Sequence, residues 1–471
     1  MSLETVLTIL TLVIGFYMAW NIGANDVSNA MGTSVGSGAL TLRRAVLLAA
    51  VLEFCGAYFL GSNVSETLQS GIINPDTYQD RPLTLILGMC GALLGTSIWL
   101  QIASYFGWPV STTHAIVGAI VGFGALMGGF DSVEWSRMYS IALSWVISPL
   151  ISGVVSFFIF ILLQRTILYA LNPLAAAKRY LPLFYFIVFS SFTLNLILNG
   201  MRNLHLDLSA ASSVFLSIGI GLLAALISRF FLRKTSSEGA PTPATTPYTV
   251  LSLDKAIKHL QRVRVATTLD VHAQVMSVLG DLKLLSKKLR DETHYTQPTT
   301  DYHVVEKLFI TLQVLSACYV AFAHGANDVS NAIGPIAAVL DVLKNGTHVH
   351  STPIPSWLLA LGGLGIVIGL ATWGWRVIET IGKKITALTP TRGFCAEFGA
   401  ATTILLATKF GLPVSTTHCL VGSVLGVGLA RGLSALNLSM IRNIGLSWLI
   451  TLPASAAMSI GCFYILRAIF I

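Results

Sequence analysis

Eight consecutive residues, Gly-Ala-Asn-Asp-Val-Ser-Asn-Ala, occur twice in this chain without a single change, at 23–30 and 325–332. A second string, Pro-Val-Ser-Thr-Thr-His, also occurs twice, at 109–114 and 413–418. Asp26 precedes Ser111 by 85 positions, and Asp328 precedes Ser415 by 87. Two strings in the same order at nearly the same spacing mark an internal duplication. The chain must therefore fold as two related halves. The retained letters are Asn, Asp, Ser and Thr inside apolar stretches, where polar groups are costly and are kept for a task.

Hydrophobic residues make up 54% of the 471 and charged residues 11%, against about 25% charged in a soluble domain. Long apolar runs recur from end to end, so an all-α polytopic membrane protein is expected. The first run, 6–20, leads straight into the octapeptide without a basic n-region or a small-residue cleavage site. It reads as the first span and not a removed signal. The six cysteines lie in apolar segments without CxxC spacing and read as small buried hydrophobes. A formal charge of +8 points to basic cytoplasmic loops of a cell membrane protein, not to nucleic acid.

Placing the clusters Arg43/Arg44, Arg165/Lys178/Arg179 and Arg229/Arg233/Lys234 in the cytoplasm leaves the N-terminus outside. The segments 83–102 and 110–127 then enter and leave from outside. In the second half, 308–323 runs outward through the octapeptide, 341–356 is an outside loop, and 358–377 returns inside. The segments 394–408 and 414–429 enter and leave from inside, and the C-terminus ends outside. The two halves come out inverted, the arrangement of secondary transporters with a midplane site. The hairpin turns, 105–110 and 409–414, are short and apolar, as expected of re-entrant tips that stop inside the protein.

In each tip Gly-x-Pro ends one helix and Ser-Thr-Thr opens the next, since Ser and Thr are good N-caps. The unpaired N–H groups and the dipole of that first turn bind anions without Arg or Lys. Ser111, Thr112 and Thr113, repeated as Ser415, Thr416 and Thr417, supply hydroxyl donors for a tetrahedral oxyanion. In the octapeptides, the glycine is expected to loosen and interrupt the helix. Asn25 with Asp26, and Asn327 with Asp328, offer hard oxygens for Na⁺ or a proton at the aspartate. Asn25 and Asn327 are also candidate contacts for that oxyanion. Asn29 and Asn331 follow four residues on, on the same helix face. Glu53 and Glu397 stand alone in apolar spans and are expected to face the bundle interior. His114 and His418 are candidate packed histidines, or proton or phosphate contacts. A hydrolase built on Ser111 and His114, or on the two aspartates, is one rival; a small-anion channel is another.

These paired strings resemble those of the inorganic phosphate transporter (PiT) family of symporters, across both hydrophobic halves. The resemblance implies phosphate transport coupled to Na⁺ or H⁺ with no cofactor, phosphate held between two hairpin tips, and the cation at the octapeptides. It also implies an inverted-repeat fold and a homodimer with elevator-like movement. Asp26 and Asp328 match the family's motif aspartates, and Ser111, Thr112, Thr113, Ser415, Thr416 and Thr417 its hairpin hydroxyls. Glu53 and Glu397 fall where Na⁺-dependent members carry glutamates, 27 and 69 residues after the two aspartates. A further family glutamate has no match in Gly88-Met-Cys-Gly-Ala-Leu-Leu-Gly95.

The centre departs from this pattern. Residues 235–247 are rich in Thr, Ser, Ala and Pro, a flexible linker. Val271, Val275, Val278, Leu282, Leu285 and Leu289 then trace an amphipathic stripe beside Lys283, Lys287, Lys288 and Arg290. The expected division is a first membrane half (1–232), a cytoplasmic insert (233–305) that packs on itself or on a dimer mate, or alternatively binds a regulatory partner or anionic lipid, and a second membrane half (306–471).

Overall fold

Apolar backbone in lipid must satisfy its own N–H and C=O groups, and the helix does so within one segment. The structure, a computed structural model, describes residues 2–108, 110–200, 208–233, 253–254, 256–257, 260–261, 269–295, 300–346, 353–375, 378, 389–432 and 438–471. They are nearly all helical. The first half holds α1 (Leu3–Gly36), α2 (Leu42–Leu60), α3 (Ser62–Ser70), α4 (Pro82–Phe106), α5 (Thr112–Met127), α6 (Trp135–Leu163), α7 (Pro173–Gly200) and α8 (Ala210–Arg233). After α9 (Leu269–Tyr295) come α10 (Thr300–Asp328), α11 (Ser330–Asn345), α12 (Ser356–Gly369), α13 (Pro390–Lys409), α14 (Thr416–Arg431) and α15 (Leu438–Phe470). Among the described residues eight helices are long and apolar enough to cross a membrane; counting the bent pair α2–α3 as one span gives nine.

The chain divides into two compact units, 1–161 with 184–225 and 309–471, and 162–183 with 226–308. The second unit thus starts earlier than residue 233 and also takes in the α6–α7 connection. The linker 235–247 lies outside the described residues. In α9 the buried side chains are Val275, Leu279 and Ser286, while Val278 and Leu285 are exposed. The buried face is therefore shifted by one residue from the expected stripe at these two positions: both sets keep three- and four-residue steps, and the spacing alone did not decide between them.

Within the first unit α1 lies against α4 and α12, α2 against α12, α11 against α3, and α15 along α4 and α5. The octapeptide glycines explain two of these crossings. A Cβ on Gly23 would stand 1.9 Å from the carbonyl oxygen of Ile366, and one on Gly325 2.0 Å from that of Glu53. Each glycine lets its helix touch the backbone of a helix from the other half. Close approach, rather than loosening, is what it provides.

Two further sequence expectations need correction. The first octapeptide does not interrupt its helix, since α1 runs unbroken from Leu3 to Gly36. The second copy does break, with α10 ending at Asp328 and α11 starting at Ser330. Pro335 stands inside α11 where the first copy has Thr33. The outside loop expected from Asp341 begins only after Asn345, because α11 continues that far.

Candidate functional site

The two hairpin tips form by the same local rules. Pro82 and Pro390 open α4 and α13 in the first turn, where a missing N–H costs nothing. Gly107 and Gly411 end these helices with φ of 67° and 65°, and the next residues close them with Trp108 N–H donating to Ala103 O and Leu412 N–H to Ala407 O. The chain then re-enters helix at Ser111 and Ser415. Each serine caps its new helix, its Oγ accepting from the N–H of His114 or His418 at 3.2 Å.

The six hydroxyls do three different things. Ser111 and Ser415 accept at the cap and keep an O–H to donate. Thr112 and Thr416 both donate to Asp328 Oδ2, at 3.4 and 3.0 Å. Thr113 and Thr417 reach across to the opposite tip and donate to Val414 O and Val110 O, at 3.0 and 3.4 Å. The last pair therefore ties the tips together, and the first four hydroxyls are the ones suited to an anion. The first-turn N–H groups of Thr112, Thr113, Thr416 and Thr417 precede any intrahelical acceptor and add to that capacity.

The octapeptide side chains brace this arrangement, and all are buried. Asn25 donates to Ser104 Oγ at 2.8 Å, at the end of α4. Asn327 donates to Thr408 Oγ1 and to Leu412 O, at the end of α13. Both Asn327 N–H bonds are thus spent, and what it has left for a ligand is oxygen. Asn29 crosses to Thr417 Oγ1 at 2.7 Å, and Asn331 to Thr112 and Thr113. The two asparagines bond the opposite half's tip in each case.

Asp26 and Asp328, both buried, come together through a residue that the repeat pattern concealed. His324 Nε2 lies 3.3 Å from Asp328 Oδ2 and 4.0 Å from Asp26 Oδ2, and its Nδ1 lies 3.2 Å from Glu53 Oε1. One ligand atom from each of Asp26, His324 and Asp328 falls within 4.8 Å of the others. The first copy has Ile22 at the position of His324. Identity between the copies marks the other site residues, and a residue present in only one copy carries no such mark. Asp26 Oδ2, Asp328 Oδ1, Asn327 Oδ1 and Asn331 Oδ1 are buried without a hydrogen-bond donor. This oxygen-rich set fits a small hard cation.

Glu397 is elsewhere. It accepts from Thr33 and Ser34 of α1, from Ser316 of α10 at 2.5 Å and from Gln313 at 3.4 Å. Thr33 is seven residues past Asp26, about 10 Å along the helix axis. Glu53 and Glu397 thus belong to separate clusters. His114 does not pair with Ser111 through its ring. Its ring nitrogens have no hydrogen-bond partner, and the ring lies against Trp145 and His418. The nucleophile–base contact a hydrolase needs is not formed there.

The model of the phosphate transporter family matches residues 22–459. The chain is 44% identical over 466 residues to the chloroplastic inorganic phosphate transporter 2-1 of Arabidopsis thaliana, covering 98% of this chain and 72% of that one. A solved structure of a sodium-dependent phosphate transporter superposes with a TM-score of 0.79 at 36% identity, covering 99% of this chain and all of that one.

Proposed function

Because the chain belongs to the phosphate transporter family, a multi-pass family of transporters, we propose that it is a secondary symporter importing inorganic phosphate with Na⁺. One observation carries the reading. Asp328 Oδ2 accepts from Thr112 of one tip and Thr416 of the other, so a built-in carboxylate takes up the hydroxyls best suited to an anion. A cation held by Asp26, Asp328, Asn25 and the unpartnered oxygens of Asn327 and Asn331 neutralises that carboxylate. Thr112 and Thr416 then turn to phosphate, joined by Ser111, Ser415 and the first-turn N–H groups. Cation binding thereby precedes and strengthens phosphate binding, which is the requirement for symport. Na⁺ enters here as a transported substrate, and the sodium dependence named for the solved relative supports it. Glu397, with three hydroxyls and an amide around it, offers a second place for a hard cation.

The same reading takes the two halves as inverted repeats with re-entrant tips at the midplane, working as a homodimer by elevator movement. The termini lie outside and the second unit lies in the cytoplasm. A proton is the alternative coupling ion, favoured by one feature, the bridge of His324 between Glu53 and Asp328. Uptake of labelled phosphate into proteoliposomes under an imposed Na⁺ gradient or an imposed pH gradient separates the two. Accumulation driven by Na⁺ alone is expected; accumulation driven only by the pH gradient would replace Na⁺ with H⁺, and passive equilibration under both would favour a channel.

A further inference from the structure

A third string is repeated in this chain. Leu143-Ser-Trp-Val-Ile-Ser-Pro149 in α6 returns as Leu446-Ser-Trp-Leu-Ile-Thr-Leu-Pro453 in α15, 31 residues after His114 and 30 after His418 at the tryptophan. Duplicated polar strings supply the site described above, so a duplicated tryptophan calls for an account of its own.

Trp145 touches both tips at once. Its indole Nε1 donates to the carbonyl oxygen of Pro413 at 3.0 Å, in the tip that leads to α14. Its ring stands against His114 of the other tip's helix, with centroids 3.9 Å apart, and His114 meets His418 edge-on at 4.4 Å. Trp145 is buried, as are both histidines. The helix that carries it has little freedom to shift. A Cβ on Gly422 would meet Pro149 O at 2.2 Å, one on Gly426 would meet Gly153 O at 2.0 Å, and Ser152 Oγ donates to Cys419 O at 2.7 Å. The first half's α6 is thus locked onto the second half's tip helix, and Trp145 reaches from there to the first half's tip. In the same way α15 lies along the first tip's helix, where a Cβ on Gly118 would meet Leu452 O at 2.9 Å. Trp448 precedes Leu452 by four residues, as Trp145 precedes Pro149; its side chain lies outside the described residues.

We infer that Trp145 is a positioning residue: by holding the Pro413 carbonyl and the His114 ring together it sets the spacing of the two hydroxyl-lined helix N-termini, and through that spacing the affinity for phosphate. An oxyanion bound between two N-termini needs both at hydrogen-bond distance, and that distance window is only a few tenths of an ångström wide. The inference rests on the reading of the tips as the phosphate site.

The test is Trp145→Phe, which keeps a ring against His114 and removes the donor to Pro413. Trp135→Phe, near the exposed start of the same helix, is the control. The inference expects the KM for phosphate to rise roughly fivefold to tenfold, with maximal uptake rate and Na⁺ half-saturation near wild type and the thermal midpoint retained. The control should leave KM unchanged. A KM within twofold of wild type in a stable Trp145→Phe protein overturns it, as does a fall in maximal rate alone. Should Trp145→Phe fail to fold, Trp145→Tyr is read by the same two outcomes. Ser111→Ala with Thr112→Val distinguishes the two failures. If that pair leaves phosphate affinity intact, the tips are not the site; if it weakens binding while Trp145→Phe does not, only the positioning role falls.

Discussion

Ser111 and Thr112 differ from Thr113 in where their hydroxyl hydrogens go, and this divides six similar residues into ligands and struts. Thr113 donates to Val414 O across the tips, so Thr113→Val should cost about 1–2 kcal/mol of stability, seen as a lowered thermal midpoint. Ser111→Ala with Thr112→Val should lower the midpoint as well, because Ser111 caps α5, and should in addition weaken phosphate binding, which Thr113→Val should not. At about 1–1.5 kcal/mol per lost hydroxyl the loss is on the order of 30- to 150-fold, measurable by equilibrium binding of labelled phosphate. Unchanged affinity in the folded double variant would remove these hydroxyls from the site. The hydroxyls were legible because they are repeated letter for letter, but the division among them was not. It depends on which carbonyl or carboxylate the opposite half presents. His324 was illegible for a different reason, since Ile22 holds its place in the other copy.

Element boundaries follow from chemistry that the sequence displays in some places and hides in others. The tips were readable because Gly107 and Gly411 precede a Ser-Thr-Thr start by four residues and every step there is local. The short α3 was not, because the chain bends by 62° after Leu60 with only Gly61 to mark it. The unbroken α1 was misread because the glycine of its octapeptide was assigned to flexibility. Its use lies in a contact with Ile366, remote in sequence. Substitutions separate the two uses of glycine. Gly325→Ala would set a methyl 2.0 Å from Glu53 O and should destabilise by about 1–3 kcal/mol through overpacking. Gly461→Ala, in α15, has nothing within 4 Å and should stabilise by up to about 1 kcal/mol through helix propensity. Thermal unfolding of both variants in detergent checks the pair; equal midpoints would contradict the contact.

Across the molecule, charge is distributed unevenly. Residues 162–183 and 226–308 hold 15 of the 29 Lys and Arg and eight of the 21 Asp and Glu, so that unit accounts for seven of the net +8. The proposed topology, read by the positive-inside rule, puts that unit in the cytoplasm. Leu171, 97% exposed in that unit, and Asn345, at the end of α11, should then face opposite sides. Cysteines placed there, with the native ones replaced, should react with an impermeant maleimide from inside and from outside respectively; labelling from one side would reject the inversion. The membrane class and the duplication were legible from composition and repeats alone, whereas the meeting of both tips at one aspartate was not, because it joins residues 216 and 88 positions apart. That meeting is the centre of the proposed coupling, and phosphate affinity as a function of Na⁺ concentration in Asp328→Asn tests it most directly. In the wild type, phosphate should bind about tenfold or more tightly with saturating Na⁺ than without, the worth of two hydroxyls released from a carboxylate. In Asp328→Asn the neutral amide oxygen holds those hydroxyls far less tightly than a carboxylate does, so phosphate affinity should lose most of its dependence on Na⁺, and concentrative uptake should be lost. A variant that keeps the wild-type dependence of phosphate affinity on Na⁺ would contradict the account.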